Sequence, residues 1–278
     1  MGQRFSGQRA LVTGASRGIG AAIAQRLAAG GADVAIVART AERHDHLPGS
    51  LAETRERLAG YGTTVATVVA DLTDEDQRAT IVAGAVEQLG GPIDILVNNA
   101  AAAIYQPVVG YARKRRRITY EANVFAPMDL ADAVVPAMLD RGRGFIVNVS
   151  SSTASVWPGP PFTLTSPGTS TGMYGSSKAA LVRWSNALGV ELYGRGVRVN
   201  AVRPKVAVLT EGAQALVGET IRPDQLESVE QMVESVVALC DCAPEVTGQV
   251  FASLDLIAAW GLDVRGLDGQ SLVKQPSA

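Results

Sequence analysis

The amino-acid sequence predicts an α/β fold: a single-domain, doubly wound parallel sheet with helices on both faces. Three observations predict it. Seven short apolar runs recur along the 278 residues. The segments between them are longer and carry helical spacing, and no Pro/Ser-rich linker or internal repeat divides the chain. Runs that are apolar on both faces and separated by helices belong to a parallel sheet covered on both sides. Right-handed crossovers then make that sheet doubly wound.

The first run is RALVT (9–13), followed by GIGAAIAQRLAAGG, a helical pattern whose closing glycines suit a helix stop. The runs DVAIVA (33–38), TVATVVA (64–70) and IDILVN (93–98) follow as strands two to four. GFIVNVS (144–150), VRVNAV (197–202) and QVFAS (249–253) complete the seven. Three segments leave this alternation: residues 40–50, the turn-rich residues 151–172, and everything from about Gly261 onward. The chain therefore divides into one domain over residues 1–260 and a polar tail over residues 261–278, expected to be loosely held.

Composition narrows the function classes. Hydrophobic residues make up 47% and charged residues 19%, enough for a sizeable core and too apolar for wholesale disorder. A net charge of −2 exerts no general pull toward nucleic acid or an anionic membrane. Ahead of the first strand there is no apolar segment, so neither a signal peptide nor a membrane span is expected. Met1-Gly2 with Ser6 fits a myristoylation pattern without a second polybasic anchor, and Asn148-Val149-Ser150 fits a glycosylation sequon inside a buried-looking strand; both are set aside. Cys240 and Cys242 lie too close together for a useful staple, and a reducing cytoplasm is the simplest setting. His44-Asp45-His46 has no further ligands grouped with it, so no metal site is expected.

The first strand runs into TGASRGIG, with Gly14, Gly18 and Gly20 at the spacing G-x-x-x-G-x-G. Glycine lets the backbone turn tightly and approach a pyrophosphate, and the helix that follows offers free N–H groups and a partial positive charge. At the first βα corner of a parallel sheet, this pattern points to a dinucleotide. An acidic residue ending the second strand would bind the ribose of NAD. The sequence instead places Arg39 there, with Arg17 inside the glycine turn. Two guanidinium groups suit a 2′-phosphate, so the expected cofactor is NADP(H), with NAD(H) the alternative.

Tyr174 and Lys178 stand one helical turn apart, in a chain whose lysines are Lys114, Lys178, Lys205 and Lys274. A phenol with the reference pKa of about 10 is too weak an acid to serve as a base near neutrality. A neighbouring ammonium favours phenolate. Bringing the phenol near 7 takes about 4 kcal/mol, more than an exposed cation supplies, so a positive nicotinamide ring in a shielded site is a further contributor.

With TGASRGIG, NNAA, Asn123, SSS and YGSSK in this order, the chain resembles the short-chain dehydrogenase/reductase family from the first strand to VTGQVF near residue 250. The resemblance implies a Rossmann-like fold and an oxidoreductase interconverting a small-molecule carbonyl and a secondary alcohol. It assigns Tyr174 as general acid/base and Lys178 as its partner and a ligand of the nicotinamide ribose. It aligns the catalytic serine with Ser151, with Ser150 and Ser152 as flanking alternatives, and makes Asn123 an organiser of a proton relay. Cofactor contacts carried over are Gly14, Ser16, Arg17, Gly18, Ile19 and Gly20 in the first turn, and Arg39. Asp71 and Leu72 fall at the adenine, Asn98 and Ala100 at the adenosine ribose and central sheet, and Pro204 and Thr210 at the nicotinamide end. The resemblance also implies a homo-oligomer, a tetramer or a dimer. The rival reading is a non-catalytic dinucleotide-binding or sensing protein on the same fold.

Four departures from the family pattern stand out. Ala101 replaces a glycine in NNAG. Lys205 replaces the glycine after Pro204, and its bulk is expected to press on the backbone near the nicotinamide. The stretch from Ser151 to Tyr174 is about ten residues longer than usual, and Trp157, Pro158, Pro160, Pro161 and Phe162 make it either a wall of the substrate pocket or a surface excursion. The covering segment between Thr210 and Pro223 is short. The run ARKRRRI (112–118) reads as a solvated helix face or as a handle for an anionic substrate.

Overall fold

In the computed structural model, residues 3–42, 48–162, 168–210 and 225–272 are described. His44, Asp45 and His46, the covering segment 211–224, residues 163–167 of the long loop, residues 273–278 of the tail and Met1-Gly2 lie outside them.

All seven expected strands form, and all join one parallel sheet: β1 (Arg9–Thr13), β2 (Asp33–Ala38), β3 (Val65–Val69), β4 (Ile95–Asn98), β5 (Gly144–Val149), β6 (Val197–Arg203) and β9 (Val250–Ala252), in the order β3-β2-β1-β4-β5-β6-β9. Side chains alternate across each strand, and the sequence fills both faces. Val12, Ile36, Val97 and Val147 join one buried cluster, packed against α1 (Gly18–Ala29), α2 (Leu51–Ala59), α7 (Val229–Leu239) and α8 (Ser253–Trp260). Leu11, Val37, Leu96 and Ile146 join the other, against α3 (Glu75–Leu89), α5 (Ala126–Asp140) and α6 (Gly172–Glu191). The strand order reverses between β1 and β4, which opens a crevice at their carboxyl ends.

Three of the short elements had no counterpart in the apolar pattern. Strands β7 (Ala207–Val208) and β8 (Leu226–Glu227) pair beyond the sheet. A π-helical segment, Glu121–Phe125, joins α4 (Arg113–Tyr120) to α5. The joined helix Arg113–Asp140 matches a membrane span by length and composition, yet Ala126, Leu130, Ala131, Val134 and Met138 bury its apolar side against the sheet. Beyond Gly261, the described tail is held more firmly than its polarity implied, because Leu262 and Leu267 pack on the core and Arg265 bridges Ser271.

Candidate active site

A cavity of about 350 Å³ opens at the β1/β4 crevice, lined by Gly14, Ser16, Arg17, Arg39, Asp71, Leu72 and Ala100 from the expected set. Each glycine of the turn has its own reason. Gly14 and Gly18 adopt φ of 69° and 54°, a region that disfavours side chains. At Gly20 a Cβ would collide with the Gly14 carbonyl and the Asn99 amide. That close approach lets Asn99 Nδ2 donate to Thr13 O at 3.0 Å and Gly14 O at 3.4 Å, pinning the turn to the end of β4. Thr13 Oγ1 completes the junction by accepting from the backbone N–H groups of Asn99 and Ala100, both at 3.1 Å.

Asn98 and Asn99 divide the role expected of one residue. The Asn98 side chain turns away from the cavity and donates to Asn148 Oδ1 at 2.8 Å, and Asn148 in turn donates to Ser185 on α6. Asn99 takes the place on the wall. Ala38, Thr40, Ala70, Thr73, Ala102 and Ile118 also line the cavity and were not anticipated; small or apolar residues of these types leave no signal in a sequence. Ile19 packs into the core cluster behind the turn, and Thr210 lies over Gly18, where an added Cβ would meet it at 3.3 Å.

The cavity suits a dinucleotide. Arg17 donates one Nη to Gly49 O at 3.3 Å, while its other Nη is buried with no partner among the described residues. A buried cationic donor of this kind is costly unless an anion completes it. Arg39 stands 72% exposed across the cavity, with Asp71 Oδ2 at 3.9 Å as its nearest acid. Asp71 is itself fixed by Thr73, and Leu72 by Arg78, whose guanidinium donates to Leu72 O at 2.9 Å and also binds Glu121 and Asp129.

Beside the cavity, Asn123, Ser151, Tyr174 and Lys178 converge. The π-helical segment turns Asn123 fully inward. Its Oδ1 accepts from Ala102 N at 2.7 Å, and its Nδ2 donates to Ala102 O at 3.3 Å and Ser177 Oγ at 2.9 Å. Of the three serines, Ser150 donates to Lys178 O behind the helix and Ser152 is exposed; Ser151 alone hydrogen-bonds the Tyr174 phenol. Thr153 holds Ser151 in place, donating through Oγ1 at 2.9 Å and N at 3.2 Å.

Electrostatics at the pair differ from the expectation that Lys178 draws the phenol pKa down. Burial pushes the Tyr174 phenol up, the neighbouring Tyr105 adds to that, and the hydrogen bond from Ser151 pulls the other way. Lys178 is fully buried, and the cost of burying its charge lowers it to about 8. Its Nζ donates to Val149 O at 2.7 Å and lies 6.0 Å from the Tyr174 ring centre. Tyr105, which no motif announced, stacks its ring 5.6 Å from that of Tyr174 at a 59° tilt.

Lys205 does not crowd the site. Its backbone lies outside the left-handed region that would call for glycine, and its Nζ reaches outward to Asp255 at 2.8 Å. Its N–H donates to the buried Glu227 carboxylate at 3.1 Å, which Ser253 also binds. On α4, Arg113 to Arg117 are all exposed, as a solvated face requires. Cys240 and Cys242 are free and buried around the end of α7, with their thiols pushed up by burial, so both stay protonated.

Comparison with known proteins agrees with this arrangement. Residues 8–218 match the family model for short chain dehydrogenase. Gluconate 5-dehydrogenase of Gluconobacter oxydans is 34% identical over 256 residues, covering 88% of this chain and 93% of that protein. Of a glycine betaine reductase and a ketoacyl reductase, the chain spans only 14% and 63% of their lengths. The structure of a 3-oxoacyl (acyl-carrier-protein) reductase from Agrobacterium tumefaciens with NADP bound superposes with a TM-score of 0.75 at 26% identity, over 90% of this chain and 95% of that one. Carveol dehydrogenase from Mycobacterium avium in complex with NAD gives 0.74 at 25% identity, over 90% and 99%.

Proposed function

The chain belongs to the short-chain dehydrogenase/reductase family, and from that premise we propose that it is an oxidoreductase acting on alcohol or carbonyl groups, that it uses NADP(H), and that Tyr174 is its general acid/base. The observation that carries the last part is the convergence of Ser151 on the buried Tyr174 and Lys178, with Asn123 tied to Ala102 on the cavity wall. When bound, the reduced nicotinamide supplies the hydride that the carbonyl carbon gains. Ser151 holds the substrate oxygen by a hydrogen bond, and Tyr174 gives that oxygen its proton, leaving a secondary alcohol. In the reverse direction Tyr174 takes the proton back. Because burial keeps the phenol protonated, the free protein is primed to donate, which suits reduction.

Preference for NADP(H) is supported by Arg17 and Arg39, which both line the cavity, and by the absence of an acid at the end of β2. Asn123 and Ser177 steady the helix that carries Tyr174, so Asn123 acts as a positioning residue. We further place the protein in the cytoplasm, which two free buried thiols suit. A homo-oligomer is supported by Phe125, 46% exposed beside Tyr120 and Met173 on the helices that carry the site. Loss of NADPH absorbance against a panel of ketones, aldehydes and β-ketoacyl thioesters tests the activity. Tight NADPH binding with no turnover across the panel would favour a binding or sensing role instead.

A further inference from the structure

The stretch that follows β6 leaves the sheet beside the reactive pair and ends at the glycine turn. β6 lies against β5, with Ser150 N donating to Val202 O at 2.8 Å, so residues 204–210 set out next to the strand end that carries Ser151. At its far end Thr210 lies over Gly18. The stretch therefore joins the same two places that a dinucleotide has to join: the turn that suits its pyrophosphate, and the Ser151–Tyr174 pair.

Two backbone N–H groups at its start are held by one buried acid. The Glu227 carboxylate accepts from Lys205 N at 3.1 Å and from Val206 N at 3.5 Å. Ser253 Oγ, fully buried at the start of α8, donates to that carboxylate at 2.7 Å and itself accepts from Lys205 N at 3.0 Å. Ser235 Oγ donates to Ser253 O at 3.1 Å, which ties the anchor into α7. Beside it, β7 pairs with β8, placing Ala207 opposite Leu226 and Val208 opposite Glu227.

No cation among the described residues pairs with Glu227; Lys205 Nζ turns outward to Asp255. A buried carboxylate without a cation is costly, and an apolar side chain of similar size would fill the space without that cost. Burial pushes its carboxyl up, and the Ser253, Lys205 and Val206 donors pull the other way. What the acid does that an apolar residue could not is hold those donors in place.

We infer that Glu227 is a positioning residue for the cofactor: through Lys205 N and Val206 N it fixes the stretch that receives the nicotinamide half, while the adenosine half depends on the β1/β4 cavity alone. This inference rests on the oxidoreductase reading above and adds a residue to its site.

The test separates the two halves. NADPH and adenosine 2′,5′-bisphosphate, its adenosine half, are titrated calorimetrically into the parent protein and into Glu227→Leu, Glu227→Gln and Ser253→Ala. NADH and ADP form the matching pair. The leucine variant should bind NADPH roughly tenfold more weakly and the bisphosphate within about twofold of the parent. Glutamine keeps a carbonyl oxygen for Lys205 N, so it should restore NADPH affinity to within about threefold. Ser253→Ala, a smaller change in the same network, should shift the ratio of the two affinities in the same direction by about threefold, and it decides the matter if the leucine variant does not fold. In the free protein, hydrogen exchange at residues 205 and 206 should quicken at least about tenfold in the leucine variant. A merely structural role would lower Tm and weaken both ligands alike, or weaken neither; either result overturns the inference, as does unchanged exchange. A parent that binds neither dinucleotide defeats the oxidoreductase reading and the inference with it. A parent that binds, with variants that treat both halves alike, defeats the inference only.

Discussion

Replacing Arg39 with alanine separates the two nicotinamide cofactors, and the structure sets the size of the effect. In the free protein the guanidinium is 72% exposed and its nearest acid, Asp71, is 3.9 Å away. An exposed pair of that kind contributes about 0–1 kcal/mol, so the variant should fold and melt like the parent. Toward a 2′-phosphate the same group would make charge-assisted hydrogen bonds worth about 1.5–3 kcal/mol each, and its exposure places it at the lower end. Removing it should weaken NADPH roughly 10- to 30-fold and leave NADH within about twofold. Titration of nicotinamide fluorescence at two ionic strengths reads the effect, and the gap should narrow as salt screens an exposed charge. Equal weakening of both cofactors, or none of either, would refute the assignment of Arg39 to the 2′-phosphate.

Three further outcomes follow from the geometry. Gly20→Ala forces a methyl into Gly14 O and the Asn99 amide; overpacking of about 1–3 kcal/mol should lower Tm by several degrees, and NADPH should bind at least tenfold more weakly, both read by thermal melting with and without cofactor. Asn98→Ala and Asn99→Ala should differ in kind: the first strips Asn148 of its donor and costs about 1–3 kcal/mol of stability in denaturant melts, whereas the second chiefly weakens cofactor binding. Lys178 sits at about 8 against an ordinary 10.5, so the unfolded chain binds the extra proton between those values. The stability of wild type relative to Lys178→Met should therefore rise with pH from about 8 toward 10, and a flat difference in urea melts would contradict a buried ammonium.

Much of the fold was legible because its inner strands are buried on both faces, so each shows as a short, mostly apolar run bounded by helical spacing. The π-helical segment at Glu121–Phe125 was not, since one extra residue in a helical turn changes no composition. For the same reason the inward aim of Asn123 rested on resemblance and not on pattern. Asn98 and Asn99 are the same residue type, and a one-residue step decides which faces α6 and which faces the glycine turn. The three serines posed the same difficulty until the end of β5 turned one toward Tyr174. Tyr105 reaches Tyr174 from 69 positions away along the sequence, a contact that no local periodicity encodes. Glu227, whose buried carboxylate anchors the Lys205 backbone, is likewise visible only in three dimensions.

Tyr174→Phe, assayed for turnover of a ketone substrate alongside NADPH affinity, tests most directly whether this hydroxyl moves the proton. The account predicts a fall of roughly 100- to 10,000-fold in kcat with cofactor affinity within about twofold of wild type. Turnover retained within about tenfold would contradict it.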